Sequence, residues 1–357
     1  MKPYLEINNR RIGTGHPCYV VAEMSANHNQ SYDEAVNIIE AAAAAGADAV
    51  KLQTYTPDTL TIDCDREYFR IGEGTLWQGQ NLYQLYGQAY TPWDWQPKLK
   101  KVADRLGLDL FSTPFDATAV DFLEKMDVPA HKIASFEIVD LPLIRRTAQT
   151  GKPIIMSTGM ATLAEIDEAV AAIRAAGNDQ LALLKCTSAY PARPEDMNLR
   201  TIKHLSRTFK VPTGLSDHTL GIAVPVTAVA LGACIVEKHV TLDRSKAGPD
   251  SQFSLEPDEF KAMVSAVRTA EKAIGGVHYG VSDQESNSRV FRRSLFAVQD
   301  IQAGERFTTE NVQSIRPGHG LHTRYLEEIL GRCAATDIQR GTPLKWDLIG
   351  GAFKGKP

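Results

Sequence analysis

No apolar run in this 357-residue chain approaches the ~18 residues of a membrane span, and the opening Met-Lys-Pro-Tyr-Leu-Glu lacks the apolar stretch of a secretory leader. Neither insertion in a membrane nor export is expected. Cysteines are few and odd in number, five at positions 18, 64, 186, 234 and 333, with no CxxC pair. That excludes a secreted disulfide framework and leaves no structural zinc motif. An excess of one charge is also missing: 39 Lys and Arg against 43 Asp and Glu give a net charge of −4 with both signs interspersed, so there is no basic face for nucleic acid or anionic lipid. A cytoplasmic globular protein with small-molecule partners is what remains.

What the chain does have is a repeated pattern. Eight short apolar runs each stop at a residue able to do chemistry. Tyr19 to Ala22 stops at Glu23, Ala49-Val50 at Lys51, Leu108 to Phe111 at Ser112-Thr113, and Lys132 to Ala134 at Ser135 and Glu137. Ile154 to Met156 stops at Ser157, Leu181 to Leu184 at Cys186, Thr187 and Ser188, the run reaching Leu215 at Ser216, Asp217 and His218, and Cys234 to Val236 at Glu237, Lys238 and His239. Amphipathic stretches such as 32–45, 93–105, 163–175, 199–208 and 256–274 lie between them. Strands alternating with helices predict parallel βαβ units, and eight such units close most economically as a (β/α)8 TIM barrel, whose C-terminal strand ends form the active face. One serine at a strand end is turn punctuation. Eight reactive groups in register point to a site.

A barrel needs roughly 250 residues, so the chain has room for a second domain. Gly275-Gly276 and the polar stretch Ser282 to Arg289 break the pattern, giving a barrel over 1–275, a linker over 276–290 and a small β-rich domain over 291–350. In that domain Asp300-Ile-Gln-Ala-Gly304 recurs as Asp337-Ile-Gln-Arg-Gly341, either a duplicated unit or a common turn used twice. The loop Arg316-Pro-Gly-His-Gly320 presents a guanidinium on an irregular path.

Lys51 and Lys132 sit just inside the ring of strand ends, where a cation needs an anion beside it. The hydroxyls of Thr113, Ser135, Ser157, Ser188 and Ser216 complement phosphate oxygens. Two other readings stay open: Lys51 as a Schiff-base amine, and Lys132 in an internal ion pair with Glu137. His218 and His239 end the seventh and eighth strands, neighbours in a barrel, and can converge on one ion; a hydrogen-bonded structural role is the alternative for each. Glu23 and Asp250 can add oxygen ligands or bind a hydroxylated substrate. Such a mixed site suits Mn2+, Mg2+ or another borderline divalent ion such as Co2+. Asn27-His28-Asn29 either cap the next helix or read the hydroxyl and acetamido groups of a sugar. The long excursion from Asp63 to Tyr90, with Trp77, Tyr83, Tyr86 and Tyr90, suits the apolar faces of a sugar.

In order along nearly the whole chain, Ala22-Glu-Met-Ser-Ala-Asn-His-Asn29, Lys51-Leu-Gln-Thr54, Phe111-Ser-Thr-Pro-Phe115, Lys132-Ile-Ala-Ser135, Ser157-Thr-Gly-Met160, Cys186-Thr-Ser-Ala-Tyr-Pro191, Gly214-Leu-Ser-Asp-His218, Glu237-Lys-His239 and Gly248-Pro-Asp250 resemble the sialic acid synthase family. The resemblance implies a (β/α)8 barrel joined to a C-terminal antifreeze-like (SAF) domain. It implies condensation of phosphoenolpyruvate with an open-chain acetamido sugar, giving a nonulosonic acid and phosphate. Residue by residue, it assigns Lys51, Thr113, Lys132, Ser135, Ser157, Ser188 and Ser216 to phosphoenolpyruvate, and His218 and His239 to a divalent metal. Glu23, Glu137, Tyr190 and Asp250 fall around the reacting sugar, with Asn27 beside them. Arg316 matches an arginine that a domain-swapped homodimer places over the partner subunit's barrel. Met24-Ser25-Ala26, Ser188, Gly74-Thr-Leu-Trp77 and Tyr90-Thr-Pro-Trp-Asp-Trp95 look like the pseudaminic acid branch. The neuraminate and legionaminate branches are the alternatives within the family; a Schiff-base aldolase or a non-catalytic sugar-binding protein are the alternatives outside it.

Overall fold

A hairpin of β1 (Tyr4–Ile7) and β2 (Arg10–Gly13) precedes eight strands that pair in parallel and close on themselves. The structure is a computed structural model and describes residues 4–74, 76–246 and 248–351; Thr75, within the Gly74 to Trp77 motif, lies outside them. In chain order round the barrel come β3 (Tyr19–Glu23), β4 (Ala49–Thr54), β5 (Asp109–Pro114), β6 (His131–Ile133), β7 (Ile154–Ser157), β8 (Leu181–Cys186), β9 (Thr213–Asp217) and β10 (Ile235–His239). β10 returns to β3 with His239 opposite Glu23. The (β/α)8 TIM barrel expected from eight apolar runs is the fold.

These strands read as unbroken apolar runs because both faces are covered, one by helices and one by the barrel interior. Tyr19, Val21, Phe111, Ile155, Leu184 and Ile235 share a buried cluster with Leu5, Ile7 and Ile12 of the hairpin. The hairpin thus adds apolar packing to the barrel interior. Gly214 on β9 has no substitute: a Cβ there would lie 2.3 Å from the Ile235 carbonyl oxygen and 2.8 Å from Leu184 Cδ2.

The helices start and stop by ordinary means. Ser31, not an amide of Asn27 to Asn29, caps helix Tyr32–Ala45 by accepting from the Glu34 N–H, and Gly46 ends it in the left-handed region at φ 87°. Helix Pro257–Ile274 buries Phe260, Met263, Val264 and Val267 in the cluster that also holds Ile38, Ile39 and Ala42. The 63–90 excursion is folded as well, with a 3-10 turn at Glu67–Phe69 and helix Leu82–Ala89 capped by Asn81.

The chain divides into two units at Gly275/Gly276. Residues 276–290 are not a bare linker, since Asp283–Ser286 and Asn287–Phe291 form helical turns. The second unit pairs β11 (Ser294–Ala297) with β12 (Val312–Ile315) around Leu295, Ile301, Phe307, Val312, Ile338 and Leu344. Its two repeated segments pair with each other: Ile301 and Ile338 exchange backbone hydrogen bonds of 2.8 Å each way. Asp300 Oδ1 accepts from Arg340 N (2.7 Å) and Asp337 Oδ1 from Ala303 N (2.8 Å). The repeat is therefore a symmetric structural unit. Gly320 is fixed by packing, because a Cβ would sit 2.2 Å from the Leu295 carbonyl oxygen. Among the described residues no helix is long and apolar enough to cross a membrane.

Candidate active site

Residues two apart on a strand share a face, so each barrel strand delivers alternate side chains inward at its C-terminal end. β10 turns Glu237 and His239 in and Lys238 out; β9 and the residue after it turn Ser216 and His218 in and Asp217 out. The outward pair is a buried ion pair, Lys238 Nζ to Asp217 Oδ2 at 2.6 Å, which ties the two histidine-bearing strands together. The inward set surrounds a cavity of about 420 Å3.

Charge is concentrated at its floor. Lys51 Nζ lies 2.8 Å from Glu23 Oε2 and 3.5 Å from Glu237 Oε1, and donates to Thr113 Oγ1 at 3.2 Å. Lys132 Nζ donates to Ser157 Oγ at 2.8 Å and stands 3.4 Å from the same Glu237 Oε1. Glu237 also accepts from Ser216 Oγ at 3.3 Å, and its other oxygen is buried without a hydrogen-bond partner. The ion partner of Lys132 is therefore Glu237, and the alternative of a pair with Glu137 is set aside. Burial opposes the Glu237 charge, but Lys132 and Lys51 outweigh it and hold its carboxyl below the ordinary value. Glu23 goes the other way, with burial pushing it up to about 7 despite Lys51. Near neutral pH Glu23 is therefore about half protonated, and the two lysines face less than two full negative charges from Glu23 and Glu237. Two lysines with hydroxyls beside them and carboxylates that do not fully balance them make a floor suited to an anion.

Above the floor are the histidines, with ring centroids 5.3 Å apart. His218 Nδ1 is 3.0 Å from the Thr187 carbonyl oxygen, which can only accept, so Nδ1 carries a proton and Nε2 is the nitrogen left for a ligand. Burial, reinforced by His218 and Lys51, drives His239 well below the ordinary imidazole range, and its Nδ1 is buried without a partner. His239 can thus donate a lone pair as it stands; burial opposes a charge on His218, but Cys186 outweighs it and holds that ring above the ordinary imidazole value, so its Nε2 becomes a ligand by giving up a proton. Tyr190 and Phe253 pack on this pair, at 4.5 Å from His218 and 4.9 Å from His239 respectively. Among the described residues no cluster of three His, Cys, Asp or Glu could hold an ion alone. The histidine pair fits a divalent ion whose other positions are left to water or substrate.

The remaining expected residues divide clearly. Glu137, Ser135, Tyr190 and Asp250 line the cavity together with Glu23, Lys51, Lys132, Ser157, Ser216, His218 and His239. Thr113 and Ser188 stand one bond behind it, Ser188 through Ser135 Oγ at 2.8 Å. Asn27 does not line it: its amide donates to the Val240 carbonyl and to Ser254 Oγ, both at 2.9 Å, and anchors the loop after β3. Of the excursion's Trp77, Tyr83, Tyr86 and Tyr90, Trp77 and Tyr86 reach the cavity, whereas Tyr83 donates its hydroxyl to Asp58 at 3.0 Å. Arg316 belongs to the second unit. Sequence reasoning passed over Glu237, although period-two alternation in Glu237-Lys-His239 puts it beside His239. It also passed over Gln53, two residues after Lys51, which donates to Glu23 Oε1 at 3.0 Å and to Ser25 Oγ at 2.9 Å. Ser25 in turn donates to Asp250.

The chain matches the NeuB family over residues 38–279 and the SAF domain over residues 292–350. It is 47% identical over 341 residues to the pseudaminic acid synthase of Campylobacter jejuni subsp. jejuni serotype O:23/36, covering 96% of this chain and 98% of that protein. With the pseudaminic acid synthase of Helicobacter pylori the identity is 45%, over 93% of this chain and 98% of the other. With the N,N'-diacetyllegionaminic acid synthase of Legionella pneumophila it is 36%, over 96% and 99%. Among solved structures, the N-acetylneuraminic acid (sialic acid) synthetase of Leptospira borgpetersenii, in complex with citrate, gives a TM-score of 0.71 at 30% identity, covering 80% of this chain and 94% of that one.

Proposed function

The chain belongs to the NeuB family, and from that premise we propose that it condenses phosphoenolpyruvate with 2,4-diacetamido-2,4,6-trideoxy-L-altrose and water, giving pseudaminic acid and phosphate. One observation carries the reading: a likeness of 45–47% to pseudaminic acid synthases over nearly the full length, in a chain whose cavity has an anion-seeking floor.

In this reading the phosphate and carboxylate of phosphoenolpyruvate compete with Glu237 for Lys51 and Lys132, and Ser135, Ser157, Ser188, Ser216 and Thr113 supply neutral hydrogen bonds around them. Tyr190 and Asp250 border the sugar. A divalent ion (Mn2+, Mg2+ or Co2+) held by His218 and His239 would supply Lewis-acid polarisation of the sugar aldehyde. C3 of the enol ester forms the new bond to the aldehyde carbon, and the aldehyde oxygen takes up a proton. Water adds to the electron-poor C2 and loses a proton to a carboxylate, after which the C–O bond to phosphate breaks and the ketone forms. Glu137 is the base in this scheme, because among the described residues no ammonium group lies within ion-pair distance of it, while Glu23 faces Lys51 at 2.8 Å and accepts from Gln53. A Schiff base on Lys51 is disfavoured: burial opposes its charge, but Glu23 and Glu237 outweigh this and hold its pKa above the ordinary value, the reverse of what an amine nucleophile needs.

Burial pushes Glu137 up to about 7, so its basic form grows as pH rises through that value. In the free enzyme kcat/KM should climb about tenfold per pH unit below 7 and then level off, and Glu137→Gln should lack this limb. Survival of the limb in that variant would remove Glu137 from the role. The same shift weakens the fold as pH rises from 4.5 to about 7, since the unfolded chain gives up this proton earlier.

The proposal also includes a domain-swapped homodimer with Arg316 over the partner subunit's barrel, acting in the cytosol, where the five unpaired cysteines stay reduced. Phosphate release from phosphoenolpyruvate, measured with N-acetylmannosamine and with 2,4-diacetamido-2,4,6-trideoxy hexoses of different configuration, tests the reading. The L-altro sugar should be preferred, and preference for N-acetylmannosamine would overturn it. In the same assay, mixtures of Arg316→Ala and Lys132→Met subunits should regain activity, and no regain would argue against the swap.

A further inference from the structure

The cavity has two chemically different halves. Its floor and middle carry the lysines, carboxylates, hydroxyls and imidazoles. The long excursion that follows β4, beyond the strand ends, contributes an aliphatic set to the cavity's lining: Leu60, Ile71, Leu82, Leu85 and Ala89, with Trp77 and Tyr86 among them. Leu82 and Leu85 are one helical turn apart on helix Leu82–Ala89, so they present one face. Three polar groups of this stretch that lie beside the wall are engaged within the protein. Trp77 Nε1 donates to the Pro249 carbonyl at 3.1 Å, Ile71 N–H to Gln80 O at 2.9 Å, and Gly79 N–H to Ile71 O at 2.8 Å. Beside the five aliphatic side chains a sugar hydroxyl meets carbon, the hydroxyls of Tyr86 and of the adjacent Tyr55 being the polar groups nearest to them.

We propose that this aliphatic wall reads the end of the sugar remote from the aldehyde, selecting a C6 methyl over a C6 hydroxymethyl group. The inference rests on the reading that the cavity condenses an acetamido sugar. With the aldehyde beside His218 and His239 and the anion on the lysines, the far end of the open chain is directed to the outer half. A methyl there gains apolar contact, whereas a hydroxyl gives up its water without a partner. An apolar pocket rejects an added hydroxyl by at most about a hundredfold, which sets the scale of the effect.

The test uses two matched pairs, each differing only at C6: the 2,4-diacetamido-2,4,6-trideoxy hexose against its 6-hydroxy counterpart, and N-acetylmannosamine against its 6-deoxy counterpart. In each pair that is turned over, kcat/KM should favour the 6-deoxy sugar by about ten- to hundredfold. Leu82→Asn should reduce that ratio about tenfold, with KM for phosphoenolpyruvate reporting an intact floor. Ile71→Thr, made separately, serves if Leu82→Asn does not fold. A wild-type ratio near one, or an unchanged ratio in a folded variant, overturns the wall. The two ideas separate cleanly. Equal use of both C6 forms of the diacetamido sugar keeps the proposed function and refutes the wall. A 6-deoxy preference in both pairs, with the mono-acetamido pair the better substrates, does the opposite, and no turnover of either pair refutes both.

Discussion

Replacing Lys132 by Met should lower kcat/KM for phosphoenolpyruvate by about two to three orders of magnitude. The side chain is buried, with its ammonium on Ser157 Oγ at 2.8 Å and Glu237 at 3.4 Å. Burial depresses its pKa and Glu237 only partly offsets this, so its charge depends on having anions close by. A bound enol phosphate brings more negative charge to the same place, and binding and charging of Lys132 reinforce each other. Removing one partner of a buried, hydrogen-bonded charge contact costs about 3–5 kcal/mol. Glu237 keeps Lys51 and the Ser216 hydroxyl but loses its nearer ammonium in the variant, so a lower melting temperature should accompany the loss. The thermal stabilisation that phosphoenolpyruvate gives the wild type should shrink with it. A folded variant with kcat/KM within about threefold of wild type would show that Lys132 does not hold the anion.

The second large effect concerns the imidazoles. Changing His218 and His239 together to Ala should lower kcat by about a thousandfold or more, as expected for losing Lewis-acid stabilisation worth several kcal/mol, while the thermal shift with phosphoenolpyruvate persists. A chelator should bring the wild type down to the level of the double variant. Mn2+ or another divalent ion should restore the wild type alone. Undiminished wild-type turnover in chelator would remove the ion from the reaction. The rings are suited to the task because His239 stays neutral in its buried position and the Thr187 carbonyl fixes the His218 tautomer.

Much of this site is legible in the chain because barrel strands are covered on both faces, so their apolar runs break only where the chain emerges at the active face. Lys51, Lys132, Ser157, Ser216, His218 and His239 announce themselves in that way. Glu237 is harder to see. Alternation places it inward, but nothing local says that it bridges two lysines whose strands lie far away in sequence. Asn27 misleads for a related reason: its partners, Val240 and Ser254, come from the far end of the barrel chain, and a sequence cannot show which way an amide turns. In the 63–90 excursion the aromatic rings draw the eye, yet Tyr83 faces Asp58, and aliphatic side chains form most of the wall. The duplicated Asp-Ile-Gln segments are plain in the sequence, while their mutual pairing needs the fold.

The most direct test of the proposed condensation follows the oxygen atoms. Turnover of phosphoenolpyruvate and the diacetamido sugar in oxygen-18 water, analysed by mass spectrometry before the ketone exchanges, should place the label in the nonulosonic acid and leave phosphate unlabelled. Label in phosphate would mean that water attacks phosphorus, and would contradict condensation with C–O cleavage.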